Sequence, residues 1–387
     1  MLNSIKISHL CEDEKFINSA IEQFEFSFPG QNKFYVFPVT KNNSLKHITP
    51  HRSVSMTNEE HLISSLSTIK KSSILILHGL SPRFYNFVLS VHERLPIICL
   101  FFGFEIYNDP KIFNKNILLD QITRRKFSKN NISLIENIKN VIRPFFRFFR
   151  PSLPLTYGEA KFKVLNRINY FGCPYHEEYM SILKLTGVSG FLFKFSYFPL
   201  EYIVDVNKPI NSQKKILLIG NSGFKTLNHL DVFYKIKNYS LNDIEINVPL
   251  NYGNSFYINE VLKEGAKVFK DNFKPLIDFI PLNEYNVLLD SVGVAIFNCK
   301  RQQAIGNTIS LLWLGAKVFL SEYNSFYQYL RRIGVVVFSY ENELNNFSIS
   351  KLLTPKEIKH NRFVLYNEFN KSKLSDLLKN QILKINN

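Results

Sequence analysis

Short apolar runs alternate with segments of helical period along most of the chain. In the second half, KKILLIG (214–220) has the length and β-branched content of a buried strand. A polar turn, NSGFKTLN, follows, and a helix begins near His229. The pattern then predicts the strand IEINVPL (244–250), the helix FYINEVLKEG (256–265), a strand starting at AKVFK (266–270) and the helix LNEYNVLLDS (282–291). It continues with the strand VGVAIFN (292–298), the helix NTISLLWLG (307–315), the strand AKVFL (316–320), the helix SFYQYLRRIG (325–334) and the strand VVVFSY (335–340). Such alternation argues for a parallel sheet covered by helices. The first half follows the same grammar less regularly. Its candidate strands are SIKISHL, KFYVFPV, SSILILHG, PIICLFFG and NRINYFG, and its candidate helices are EKFINSAIEQF, EEHLISSLSTIKK, RFYNFVLSVHERL and HEEYMSILKLTG.

The expected fold class is therefore α/β, with two Rossmann-like domains facing a cleft. The N-terminal domain spans 1–200, a Pro- and Asn-containing linker 201–213, the C-terminal domain 214–370, and a basic C-terminal helix 371–387. A length of 387 residues suits two domains. In open α/β sheets ligands bind beyond the carboxyl ends of the strands, which makes the cleft the expected site.

Composition sharpens the partner class. The formal net charge is +16, which favours an anionic partner: nucleic acid, a phosphorylated ligand or an anionic membrane face. Cys11, Cys99, Cys173 and Cys299 form no C-x-x-C pair and read as reduced cysteines of a cytosolic protein. The N-terminus lacks the pattern of a signal peptide, and the longest apolar run, IICLFFGF (97–104), is far short of the ~18 residues of a membrane span. The expectation is a cytoplasmic protein able to touch a membrane without crossing it.

Several strand ends carry candidate chemistry. Gly220-Asn221-Ser222-Gly223 brings free backbone N–H groups and room for close approach, as phosphate oxygens require, and also reads as a plain Gly-rich turn. In VPLNYG (248–253), Tyr252 is placed either to stack on a base or sugar or to pack its loop. Lys300, Arg301, Gln302 and Gln303 precede Gly306-Asn307-Thr308 at the mouth of a helix. A helix N-terminus offers unpaired N–H donors and partial positive charge, and Arg301 adds a fork for phosphate. A solvated turn accounts for Lys300 well and for the other groups less well. In the first half, CLFFGFEIYND (99–109) places Glu105 and Asp109 at a strand end. There Glu105 could take a proton from an acceptor hydroxyl, or merely cap a helix or meet a surface cation. His78 ends another strand, as a substrate contact or a structural histidine.

One segment, 124–151, differs from its surroundings. Its RPFFRFFRP stretch sets Arg143, Arg147 and Arg150 among Phe145, Phe146, Phe148 and Phe149. Cations beside aromatics suit an anionic membrane interface, and an ordinary helix with inward Phe is the alternative. No zinc, helix-turn-helix or RNA-recognition signature supports nucleic acid.

Together these residues resemble a known family. ILLIGNSG followed by Asn228-His229, then VPLNYG, then Arg301-Gln302-Gln303 with Gly306 running into SLLWLGAKVFL, and finally Asn324-Ser325-Phe326, occur in the order and spacing of glycosyltransferase family 56. These are the 4-acetamido-4,6-dideoxygalactosyltransferases of enterobacterial common antigen assembly. The first half is similar in patches: His78-Gly79, Tyr197-Phe198-Pro199, and Gly103-x-Glu105-x-Tyr107, where Phe102 and Glu105 stand in place of the more usual Trp and Asp. The resemblance implies a GT-B fold, a thymidine-diphosphate (TDP) sugar donor, a polyprenyl-diphosphate-linked saccharide acceptor, no metal or other cofactor, and work at the cytoplasmic face of the inner membrane. On that reading Asn221, Ser222, Gly223, Tyr252, Arg301, Gln302, Gln303, Gly306, Asn307 and Thr308 hold the donor, and Glu105 is the catalytic candidate. His78 and Asp109 contact substrate, and 124–151 contacts the membrane. The alternative is a non-catalytic nucleotide-sugar or nucleic-acid binding protein on the same frame.

Overall fold

In this computed structural model, residues 5–39, 44–65, 69, 73–128, 155–241 and 243–386 are described. The chain divides into two compact units. One comprises Met1–Phe113, Lys129–Tyr197 and Leu374–Asn387, and the other Asn114–Ser128 and Phe198–Lys373.

The N-terminal unit is built on seven parallel strands. They are β1 (Ile7–Glu12), β2 (Asn32–Phe37), β3 (Val54–Met56), β4 (Ile74–His78), β5 (Ile97–Leu100), β6 (Tyr170–Cys173) and β7 (Phe191–Lys194), in the spatial order β3-β2-β1-β4-β5-β6-β7. The central strands β4 and β5 are buried at every residue, as a sheet covered on both faces requires. The order reverses between β1 and β4, so the ends of these two strands, Glu12 and His78, flank the switch point where ligands collect. The edge strands β3 and β7 are only three and four residues long, and the sequence pattern did not predict them.

The C-terminal unit has six parallel strands. They are β8 (Ile216–Ile219), β9 (Glu245–Pro249), β10 (Phe273–Leu276), β11 (Val292–Phe297), β12 (Lys317–Leu320) and β13 (Phe338–Ser339), in the order β10-β9-β8-β11-β12-β13. Here the reversal falls between β8 and β11, which places Gly220 and Asn298 at the switch point.

Two expectations need correction. AKVFK is not a strand: the helix Ser255–Phe269 runs through it, and the strand begins at Phe273. Gly265 does not end that helix; a Cβ there would lie 2.3 Å from the Phe273 ring, so the glycine makes room for it. The expected linker also begins with helix, Leu200–Ile203.

Residues 114–128 pack with the C-terminal unit. Asp231, on the helix His229–Ile236, accepts hydrogen bonds from the Ile122 and Thr123 backbone N–H groups at 2.8 and 3.0 Å and from the Thr123 hydroxyl at 2.6 Å. It thereby serves the orphan donors at the start of the helix Gln121–Phe127. Asn228, held at φ 51°, accepts from Asp120 N–H and donates to the Leu118 and Asn298 carbonyls.

Candidate active site

The carboxyl ends of β8, β9 and β11 bring three loops together in the C-terminal unit. The first two are zipped at Gly223 and Gly253. Gly223 N–H donates to Tyr252 O at 2.7 Å and Asn254 N–H to Gly223 O at 3.0 Å. A Cβ on Gly253 would lie 2.3 Å from Gly223 O, and the residue has φ 142°, so only glycine fits this crossing. The third loop joins the first through the Thr226 hydroxyl, 3.1 Å from Gln303 Oε1.

Most of the expected donor residues meet here. The helix Ile305–Trp313 starts after Ala304, which sits in the left-handed region and supplies no side-chain cap, so its first N–H groups face the loops without one. Arg301 Nη1 donates to Gln302 O at 3.0 Å, which bends its guanidinium back along the loop. Among the buried oxygens without a hydrogen-bond partner in the protein are Asn221 Oδ1, Gln302 Oε1 and Thr308 Oγ1, all at these loops. Buried polar atoms are normally satisfied, so such a cluster at a strand switch point marks where a polar ligand completes the bonding. Ser222 is buried beside Tyr252, and Tyr252, 52% exposed, makes an edge contact with Phe224. Asn307 Nδ2 donates to Tyr285 OH at 3.1 Å. Gly306 lies against the Phe198 ring, 3.2 Å from where a Cβ would stand. Thr308 is wholly buried in the second turn, and its N–H already bonds Ala304 O.

Lys300 is not a solvated cation. It forms an ion pair with Asp120, whose other carboxylate oxygen accepts from Asn298 Nδ2 at 2.6 Å. His229 packs against Gly220, where a Cβ would come within 2.3 Å of Nε2, and burial holds its imidazole down at about 3.

The N-terminal unit holds a second constellation, a cavity of about 380 Å³ at the β1/β4 switch point. Glu105 sits in the short helix Phe104–Tyr107 that follows β5. Its Oε1 accepts from Phe102 N–H at 3.0 Å and Leu80 N–H at 3.3 Å, while Oε2 is buried without a partner. Burial raises its pKa, and those backbone bonds and the Lys161 charge oppose the rise. Lys161, only 1% exposed, donates to Asp109 Oδ2 at 2.8 Å and to the Glu105 carbonyl. Asp109 therefore braces the Glu105 helix through Lys161.

His78 also lines the cavity, within a buried hydrogen-bond chain. Asn32 Nδ2 donates to the Phe24 and Phe28 carbonyls and to Glu25, leaving Oδ1 as acceptor for His9 Nε2–H at 3.3 Å. His9 Nδ1 then accepts from His78 Nε2–H at 3.0 Å, and His78 Nδ1 from Tyr197 O–H at 2.8 Å. Burial lowers the His78 pKa to about 3 and that of His9 well below its ordinary value. Both stay neutral, in one tautomer each. His78 is thus primarily a positioning residue, turned toward Tyr197.

Sequence reading missed Lys161, Asp120, Asp231 and Asn298, and gave no role to Asn228 beyond its place in the motif. The membrane-contact residues Arg143, Phe145, Phe146, Arg147, Phe148, Phe149 and Arg150 lie outside the described residues. The four cysteines are buried, and burial pushes each thiol above its ordinary value. No helix among the described residues is long and apolar enough to cross a membrane.

Residues 192–380 match the family described as 4-alpha-L-fucosyltransferase glycosyl transferase group 56. The fold is that of several solved structures. A glycosyltransferase from Rickettsia africae is 12% identical with a TM-score of 0.59, over 99% of this chain and 98% of that one. HepE from Anabaena, in complex with UDP and glucose, is 9% identical with a TM-score of 0.63, over 98% of this chain and 100% of its own. Sucrose-phosphate synthase from Thermosynechococcus elongatus is 7% identical with a TM-score of 0.58, over 98% and 99%. At such identities the likeness speaks to fold alone, and that fold is GT-B.

Proposed function

We propose that this chain, a GT-B glycosyltransferase whose residues 192–380 carry the group 56 pattern, moves a 4-acetamido-4,6-dideoxyhexose from a TDP-sugar to a polyprenyl-diphosphate-linked saccharide in surface-polysaccharide synthesis. The observation that carries the reading is the meeting of an uncapped helix start, Arg301 and the unpartnered oxygens of Asn221, Gln302 and Thr308 at one strand switch point. The helix N-terminus and guanidinium suit the donor diphosphate, the leaving group of the transfer. On this reading protein groups neutralise that charge and no metal is needed. The unpartnered oxygens accept from hydroxyl and N–H groups of the sugar or base, and Tyr252 offers a ring face. HepE, of the same fold, binds UDP and glucose, which supports a nucleotide-sugar donor.

The acceptor meets the N-terminal unit. Glu105, buried at the edge of the cavity with Oε2 unpartnered, is the proton acceptor if the reaction inverts, and orients the acceptor if it retains. The lipid-linked acceptor places the enzyme at the inner leaflet, with 124–151 as the contact.

Isothermal calorimetry tests the donor assignment. Arg301→Ala should weaken TDP binding about tenfold or more, because hydrogen bonds to charged groups contribute ~1.5–3 kcal/mol. Unchanged affinity rejects the role.

A further inference from the structure

The helix Gln121–Phe127 opens on an aspartate that does not cap it. Asp120 stands at the N-cap, where an aspartate ordinarily accepts from the first turn, yet its side chain makes no such bond. Asp231 serves the Ile122 and Thr123 N–H groups in its stead. The Asp120 carboxylate is thereby released to the loop that follows β11. One of its oxygens pairs with the Lys300 ammonium, and the other accepts from Asn298 Nδ2 at 2.6 Å.

These two contacts bracket the chain just ahead of Arg301. Asn298 follows β11 directly, and Lys300 precedes Arg301. The Lys300 and Asp120 side chains are only 19% and 22% exposed, so salt screens the pair less than a surface pair. A carboxylate only accepts, so Asn298 turns its NH2 toward Asp120 and leaves Oδ1 on the other side of the amide. That oxygen is buried and unpartnered, like those of Asn221, Gln302 and Thr308. Asn228 bridges the same two residues again, accepting from Asp120 N–H and donating to the Asn298 carbonyl, each at 2.9 Å. The far end of the helix is anchored as well. Lys126 pairs with Glu260 and Glu264, and the Phe127 ring meets Tyr257 edge-on at 5.0 Å. Asp120 is thus held firmly beside the β8/β11 switch point by a segment that joins the C-terminal unit from the first half of the chain.

We propose that Asp120 is a positioning residue of the nucleotide-sugar site. Its carboxylate fixes the step from Asn298 to Arg301 and so sets the affinity for the donor diphosphate. Without it, the Lys300 ammonium and the Asn298 amide lose their anchor, and ordering Arg301 must be accomplished at binding, which costs affinity. The inference rests on the reading of this site as the donor site, and it adds a residue 178 positions from the one it orients.

Calorimetry with TDP on the full chain tests it. Asp120→Asn keeps an acceptor for Asn298 but ends the ion pair, and should weaken TDP binding about fivefold. Asp120→Ala removes both contacts and should weaken it by more than about tenfold, whereas Asp120→Glu keeps the charge and should bind within about threefold of the natural protein. Lys300→Met should cost as much as Asp120→Asn, and the two together no more than either alone, because the pair acts as a unit. Thermal melts of the same variants read bracing separately: a brace alone lowers the melting temperature and leaves TDP affinity unchanged. That result would overturn the inference. So would additive losses in the double variant, tighter TDP binding by Asp120→Asn, or an Asp120→Glu variant as weak as Asp120→Ala. Arg301→Ala in the same series reads the site itself. If it weakens TDP binding while the Asp120 variants do not, the inference fails alone and the donor assignment stands. If the natural protein does not bind TDP, both fall.

Discussion

Glu105 illustrates how one residue is made both useful and costly. Its Oε1 is held by two backbone N–H groups, and Oε2 is buried and bare. Burial raises the carboxyl pKa, so the folded protein binds this proton more tightly than the unfolded chain does. The sign follows: stability falls as pH rises from the ordinary carboxylate range through the raised value. Glu105→Gln keeps the shape and removes the charge. We expect its melting temperature to equal or exceed that of the natural protein at pH 7, with the gap closing toward pH 4.5, while kcat/KM falls about 10²–10⁴-fold, the usual worth of a general base. Thermal shift and transfer assays on the same samples check both limbs. A variant that melts lower and transfers normally would make Glu105 a purely structural residue. His78 behaves in the opposite sense. Its pKa is lowered to about 3, so its contribution is intact above the unfolded value near 6.5 and is lost progressively as pH falls from there toward 3.

At the scale of elements, the helix Gln121–Phe127 depends on a residue of another helix. Asp231 takes three hydrogen bonds from its first turn. Asp231→Ala should destabilise by about 2–4 kcal/mol, the sum of a lost cap and charge-assisted bonds. Limited proteolysis should then cut within 114–128 before the natural protein is cut there; identical digestion patterns would count against the clamp. This attachment could not be read from sequence, because Asp120–Thr123 and their partners are 108 or more residues apart. The central strands of both sheets were legible, since burial on both faces leaves an unbroken apolar run. The helix Ser255–Phe269 was cut short because Gly265 imitates a terminator while making room for Phe273. The loop at 300–308 stood out in the sequence by its excess of polar groups, and Glu105 by its place after a strand. Lys161 was not, since nothing local marks a lysine that pairs 52 residues away.

At the scale of the molecule, opposite charge characters are divided between two sites. The loops at the β8/β11 switch point present Arg301 and a helix N-terminus, while the N-terminal cavity is lined by an excess of carboxylates. Raising NaCl from 0.05 to about 0.5 M shortens the screening length from roughly 14 to 4 Å and should weaken TDP binding severalfold. Calorimetry across that range checks it, and a TDP affinity that does not change with salt would contradict the assignment. The division of the chain has a further consequence. The C-terminal unit takes residues 114–128 from within the first half, and residues 374–387 return to the N-terminal unit. Neither unit is one continuous stretch. A gene cut at residue 197 would yield a C-terminal piece lacking the helix that Asp231 caps and an N-terminal piece lacking its last helix. Grafting either half onto another glycosyltransferase as a single cassette would leave both incomplete, so these units must be inherited, and recombined, with their borrowed segments.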